Sequence, residues 1–148
     1  MIRSVLIAAL ALAFLPAIAF AATPPTCLPR AERAWVRVLP APMPMNAGYL
    51  RLRNTCAAPL AIVAASSPAY GEVSIHETRT VDGVSRMREV AELPLAPGAT
   101  VEMKPGGLHL MLMRPTAPVR IGQRVRIDLH LKDGRRLPVE FEARAAAP

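Results

Sequence analysis

Residues 124–142 read RVRIDLHLKDGRRLPVEFE. Ile127, Leu129 and Leu131 alternate with Arg126, Asp128 and His130; beyond Asp133-Gly134, Leu137, Val139 and Phe141 alternate with Glu140 and Glu142. A period of two sends one set of side chains to a core and the other to water. Asp-Gly between two such runs is the strongest short-range hairpin signal. His130, on the polar face beside Asp128, reads as a solvated surface histidine. Working outward, runs of the same kind recur at Ala34–Leu39, Ala47–Arg53, Leu60–Ser66, Val73–Thr80, Val84–Val90, Thr100–Met103 and Leu108–Met113. With Arg124–Leu131 and Arg136–Ala143, these short runs and their turn signals predict an all-β domain, an immunoglobulin-like sandwich or a barrel. The chain has 16 prolines, and no helical periodicity survives between such breakers.

The N-terminus reads differently. Met1-Ile2-Arg3 is a short basic start, Val5–Leu15 is apolar throughout, and Ala19-Phe20-Ala21 is an A-x-A cleavage signal. Residues 1–21 are therefore predicted to be a signal peptide, and the protein to be exported to the periplasm, with no membrane span left after cleavage. Residues 22–33 form an N-terminal segment carrying Cys27, 34–143 the β-sandwich, and 144–148 a frayed tail. Cys27 and Cys56 are the only cysteines. In an oxidising compartment such a pair is expected to form a disulfide, closing a loop worth roughly 3–4 kcal/mol in the chain-entropy model. Thiolate metal ligands are the alternative, though the separation matches no metal-binding pattern.

Length and charge narrow the classes further. At 148 residues the chain is too short for a two-domain dinucleotide-binding enzyme. The net charge is +7, but 11 acidic residues are interspersed among 18 basic ones. Nucleic-acid binding needs a basic stripe with aromatic stacking platforms. Beyond the leader only Trp35, Tyr49, Tyr70 and Phe141 are aromatic, so solvated strand faces explain the arginines better.

Two segments carry less ordinary patterns. Around Asp82-Gly83, a two-residue loop pairs Val81 with Val84, Thr78 with Met87 and His76 with Glu89. His76 and Met87 then project from one face as diagonal neighbours, roughly 7–8 Å apart at the backbone. In Leu108-His109-Leu110-Met111-Leu112-Met113, strand geometry puts His109, Met111 and Met113 on one face and the leucines on the other. One reading is a sheet buried on both faces, with methionine as gap filler. The other is a strip of imidazole and thioether donors, which suits a soft ion, above all Cu(I), and suits zinc or calcium poorly. Met113 reads as either a packing residue or a further donor. Met43 and Met45, in the Pro-rich Pro42-Met43-Pro44-Met45, read as either an apolar cover or a weak accessory thioether site.

His76, Met87, His109 and Met111 follow the spacing H-x10-M-x21-H-x-M. With Trp35-Val36-Arg37, Ala47-Gly48-Tyr49-Leu50 and Lys104–Met113 around it, the chain from Ala34 to Phe141 resembles the periplasmic copper chaperones of the PCuAC family. The resemblance implies a cupredoxin-like β-sandwich and makes these four residues the ligands of one Cu(I). It also implies delivery of copper for the copper-A centre of cytochrome c oxidase, directly or through a thiol-bearing assembly factor. Some members carry a His- and Met-rich tail that takes Cu(II); the residues Glu142–Pro148 hold none of those donors. A monomer is expected.

The donor set also bears on redox chemistry. A blue-copper electron-transfer site needs a cysteine thiolate with two histidines, and no cysteine lies near His76 or His109 in sequence. Imidazole binds metal only when neutral, so affinity is expected to weaken in acid. An enzyme is not expected: no nucleophile elbow or phosphate loop is present, and His76-Glu77 lacks the second histidine of a metalloprotease helix, since position 80 is Thr. Two other readings stand beside the chaperone: a periplasmic copper buffer, and a metal-free interaction module presenting methionines as an adaptable patch.

Overall fold

The computed structural model describes residues 27–41 and 43–145; the leader expected over 1–21 and the last three residues lie outside them. The described chain is all β. Ten strands follow in order: β1 Arg30–Arg37, β2 Met45–Arg53, β3 Leu60–Ser66, β4 Tyr70–Val81, β5 Val84–Glu89, β6 Leu93–Leu95, β7 Thr100–Met103, β8 Leu108–Pro115, β9 Arg124–Leu131 and β10 Arg136–Arg144. They form one hydrogen-bonded sheet in the order β5-β4-β8-β2-β1-β10-β9-β3-β6, with β7 also paired to β2.

The sheet closes over itself as a sandwich. One half supplies Leu50, Leu52, Ile75, Leu110 and Leu112 to a single core, and the other supplies Ile62, Val125, Ile127, Leu129 and Phe141. Leu52, Ile62, Leu110, Leu112, Ile127, Leu129 and Phe141 are fully buried, each contributing roughly 1.5–3 kcal/mol. β1 joins the halves, antiparallel to β2 and parallel to β10.

Several elements differ from the sequence reading. β1 begins at Arg30 rather than Ala34, because the ladder shifts register between Glu32 and Trp35, where Arg33 takes a φ of 52°. That bulge hides the strand from a period-two reading. β6 is a tenth strand, only three residues long, with both leucines buried around Pro94. β2 starts at Met45, so Met45 is a strand residue and not part of the Pro-rich loop. Arg144, expected in the tail, still belongs to β10.

Cys27 and Cys56 are joined in a disulfide, with Cα atoms 5.8 Å apart. Asn54, wholly buried, holds the Cys56 end. Its amide donates to the carbonyls of Ala58 and Leu95 at 2.9 Å, and its Oδ1 accepts from the Cys56 N–H at 2.9 Å. At the other end Arg135 donates to the Cys27 carbonyl.

Candidate metal centre

The β4–β5 hairpin turns through Asp82 and Gly83, both at positive φ (52° and 77°). That is the geometry an Asp-Gly turn favours between right-twisted strands. The resulting register pairs His76 with Glu89, Thr78 with Met87 and Val81 with Val84. His76 and Met87 thus occupy one face on a diagonal.

β8 lies along the other side of β4, and here His76 pairs directly with His109, Ser74 with Met111 and Glu72 with Met113. Leu110 and Leu112, both at 0% exposure, lock the parity of β8. A one-residue slip would expel both from the core and bury His109, Met111 and Met113 in their place. On the inner side, Gly48 lets β2 approach β8 closely: a Cβ there would stand 3.3 Å from Leu110 Cβ. His76, His109, Met111, Met113 and Met87 therefore all belong to the outer face of this half of the sheet, opposite the core.

The two imidazoles are stacked, with ring centroids 6.0 Å apart and planes 29° from parallel. His109 Nδ1 lies 2.9 Å from the Gly107 carbonyl oxygen. A carbonyl only accepts, so Nδ1 carries the proton and Nε2 is left as the basic nitrogen. His76 Nε2 lies 3.0 Å from Ser74 Oγ, while its Nδ1 is buried with no hydrogen-bond partner. A buried polar atom without a partner is costly unless something else satisfies it. Each ring thus keeps one nitrogen engaged by the protein and one available, the arrangement that orients metal-binding histidines.

The structure does not treat the four motif residues alike. His76, His109 and Met111 stand on two rigidly paired strands, with His109 buried and the other two half-buried. Met87 is 51% exposed, on a hairpin arm whose six residues all face water. It flanks His76 from the side opposite Met111. Met45 pairs directly with Met113 across β2·β8, on the same face, and Met43 is exposed. The sequence reading missed three supporting groups: Ser74, the Gly107 carbonyl and the small Ala47 opposite Met111. Only Ser74 had a signal, its place two residues before His76 on one strand.

Of the two acids beside His76, Glu77 turns to the other face, while Glu89 shares the face of its cross-strand partner His76. Glu77 lies on the opposite parity from His76, 2.9 Å from Arg79 and 2.7 Å from Arg88. Hydrogen bonds from Arg79 and then Arg88 hold its carboxyl below the ordinary range. Glu89 faces water opposite His76. Among the described residues, no group of three or more His, Cys, Asp and Glu is placed to hold a metal ion; the donors gathered here are two imidazoles and several thioethers.

The fold is that of PCuAC domains. The apo PCuAC domain from PmoF1 superposes with a TM-score of 0.66 at 18% identity, over 78% of this chain and 92% of that one. The solution structure of CuI-DR1885 from Deinococcus radiodurans gives a TM-score of 0.62 at 28% identity, over 81% of each chain. By sequence, the family described as "Putative lipoprotein LpqE-like" matches residues 30–143, and the chain belongs to this LpqE-like family. A relative from Leifsonia xyli subsp. xyli, "Putative lipoprotein Lxx21020", is 34% identical over 109 residues, which is 73% of this chain. The chain spans 64% of that relative's length.

Proposed function

We propose that the protein is an exported Cu(I) carrier, not an enzyme, holding one ion through His76, His109, Met87 and Met111. It would release that ion to a thiol-bearing acceptor or to the copper-A subunit of cytochrome c oxidase. The observation that carries the reading is the His76–His109 pair, 6.0 Å apart with one ring nitrogen of each left available, bordered on both sides by thioethers. The likeness to CuI-DR1885, a protein solved with Cu(I), supports the same metal here.

The chemistry follows from the donors. Imidazole and thioether are neutral, so the bound ion keeps its single positive charge. Soft thioethers favour Cu(I) over Cu(II) and over zinc. His76 and His109 supply the stronger bonds from a fixed sheet, and Met87 reaches in from the exposed hairpin arm. Because Met87 is the outermost donor, it is the natural one to yield when an incoming thiolate exchanges ligands. The LpqE-like relatives' lipoprotein naming and the leader-like residues 1–21 support export; in a host with an outer membrane the carrier would act in the periplasm.

Anaerobic titration of purified protein with Cu(I), against a chromogenic Cu(I) chelator, tests the reading. Wild type should retain copper, and the His76→Ala/His109→Ala variant should nearly lose retention at these residues. Equal retention by both would remove the ligand assignment. In copper-limited cells the same variant should lower cytochrome oxidase activity, restored by added copper. Unchanged oxidase activity in cells whose variant no longer holds copper would leave a buffer and not a delivery protein.

A further inference from the structure

We infer that Met43, Met45 and Met113 form a second, thioether-only Cu(I) site beside the histidine pair, with Met111 standing between the two. The binding itself is independent of the proposed carrier role; only its use as an entry or exit station rests on that role.

Three observations converge. Met45 and Met113 are direct cross-strand partners in β2·β8, and Met111 follows two residues before Met113 on the same face. Residues paired this way hold their Cβ atoms about 4.5–5.5 Å apart, within bonding reach of one ion for two long side chains. Opposite Met111 stands Ala47, whose methyl group leaves space. A cavity of about 330 Å³ opens there, and Met43, Met45, Met111 and His109 all line it. The methionine segment is also pinned: the Pro44 carbonyl, between Met43 and Met45, accepts from the Arg114 N–H at 2.9 Å. Asn46, next in sequence, donates to the Arg37 carbonyl at 3.0 Å and accepts from the Tyr70 hydroxyl at 3.0 Å.

Packing does not account for these residues. A methionine used as gap filler is buried, whereas Met43 is 45% exposed and Met45, Met111 and Met113 are only half-buried. Met43 and Met45 line the cavity and Met113 is the cross-strand partner of Met45; such uncharged, soft donors fit a monovalent soft cation and suit calcium, magnesium or zinc poorly. Arg37 lines the same cavity, and its charge opposes any cation, which makes this the weaker site. Filling it requires no electron and no proton: Cu(I) exchanges its carrier ligands for thioether sulfurs, and its oxidation state is unchanged.

The test is a titration of the purified full chain with Cu(I), and in parallel with Ag(I) as a redox-inert probe, against chelators of graded strength. Wild type should take up two equivalents, the second released to weaker chelators. Met43→Leu/Met45→Leu keeps apolar bulk and should lose the second equivalent while retaining the first. His76→Ala/His109→Ala should lose the first and keep the second. With 13C-methyl methionine, the second equivalent of Ag(I) should shift the methyl signals of Met43, Met45 and Met113. A wild type that binds a single equivalent, lost with the histidines, would overturn the second site and leave the carrier reading standing. A single equivalent lost with Met43 and Met45 would do the reverse. Retention of two equivalents by the leucine variant would also overturn it.

Discussion

Ser74 occupies the position beneath His76 on β4, and its hydroxyl lies 3.0 Å from Nε2. That contact engages Nε2 and leaves Nδ1 as the available nitrogen, much as Gly107 engages Nδ1 of His109. Removing a partner of this kind typically weakens metal binding about 10–100-fold. Ser74→Ala should therefore loosen Cu(I) by that order with an unchanged circular dichroism spectrum, and competitive titration reads it directly. His130→Ala is the matched control: His130 sits on β9, bonded to Ser66 at 2.8 Å, and its loss should leave Cu(I) affinity as it was. The candidate donors could be picked out in the sequence because type and spacing are local properties. Which histidine nitrogen is available was not, since it depends on Ser74 and a backbone carbonyl brought alongside by folding.

At the scale of elements, the two halves of the candidate centre differ in how readable they were. The β4–β5 register could be counted from Asp82-Gly83 alone, because a two-residue turn dictates pairing outward from itself, and the ladder runs as counted. The direct pairing of His76 with His109 could not, because β4 and β8 are joined through β5, β6 and β7 and their alignment depends on core packing. β1 and β6 were misjudged for related reasons: a bulge interrupts the first, and three residues give the second no period to detect. The dependence on the turn yields a prediction. Inserting one residue between Asp82 and Gly83 shifts β5 by one position and turns Met87 to the opposite face. Cu(I) affinity should fall while the melting transition stays close to wild type, because β5 contributes no buried residue. Undiminished affinity in the insertion variant would release Met87 from the ligand set.

At the scale of the molecule, surface ion pairs hold several of the acidic side chains. Arginine hydrogen bonds hold the carboxyls of Glu77, Asp128, Asp133 and Glu142 below their ordinary range. A carboxyl depressed by folding adds stability that is complete above its unfolded value and is lost as pH falls through the folded one. The metal-free protein should therefore keep a level unfolding midpoint from neutrality down to the ordinary carboxylate range and lose stability below it. The loss should be modest because the pairs face water, and 1 M salt should flatten the curve by screening them. A midpoint that rises into acid would contradict these pairings. The disulfide acts at the same scale: it ties the segment before β1 to the loop after β2, and the cysteine count with the expected export was enough to anticipate it. X-ray absorption at the copper edge, on protein loaded with one equivalent of Cu(I), bears most directly on the histidine–methionine centre. The spectrum should require imidazole nitrogen and thioether sulfur together in the inner shell, with the nitrogen lost in His76→Ala/His109→Ala; an inner shell without sulfur, or one unaltered in that variant, would contradict it.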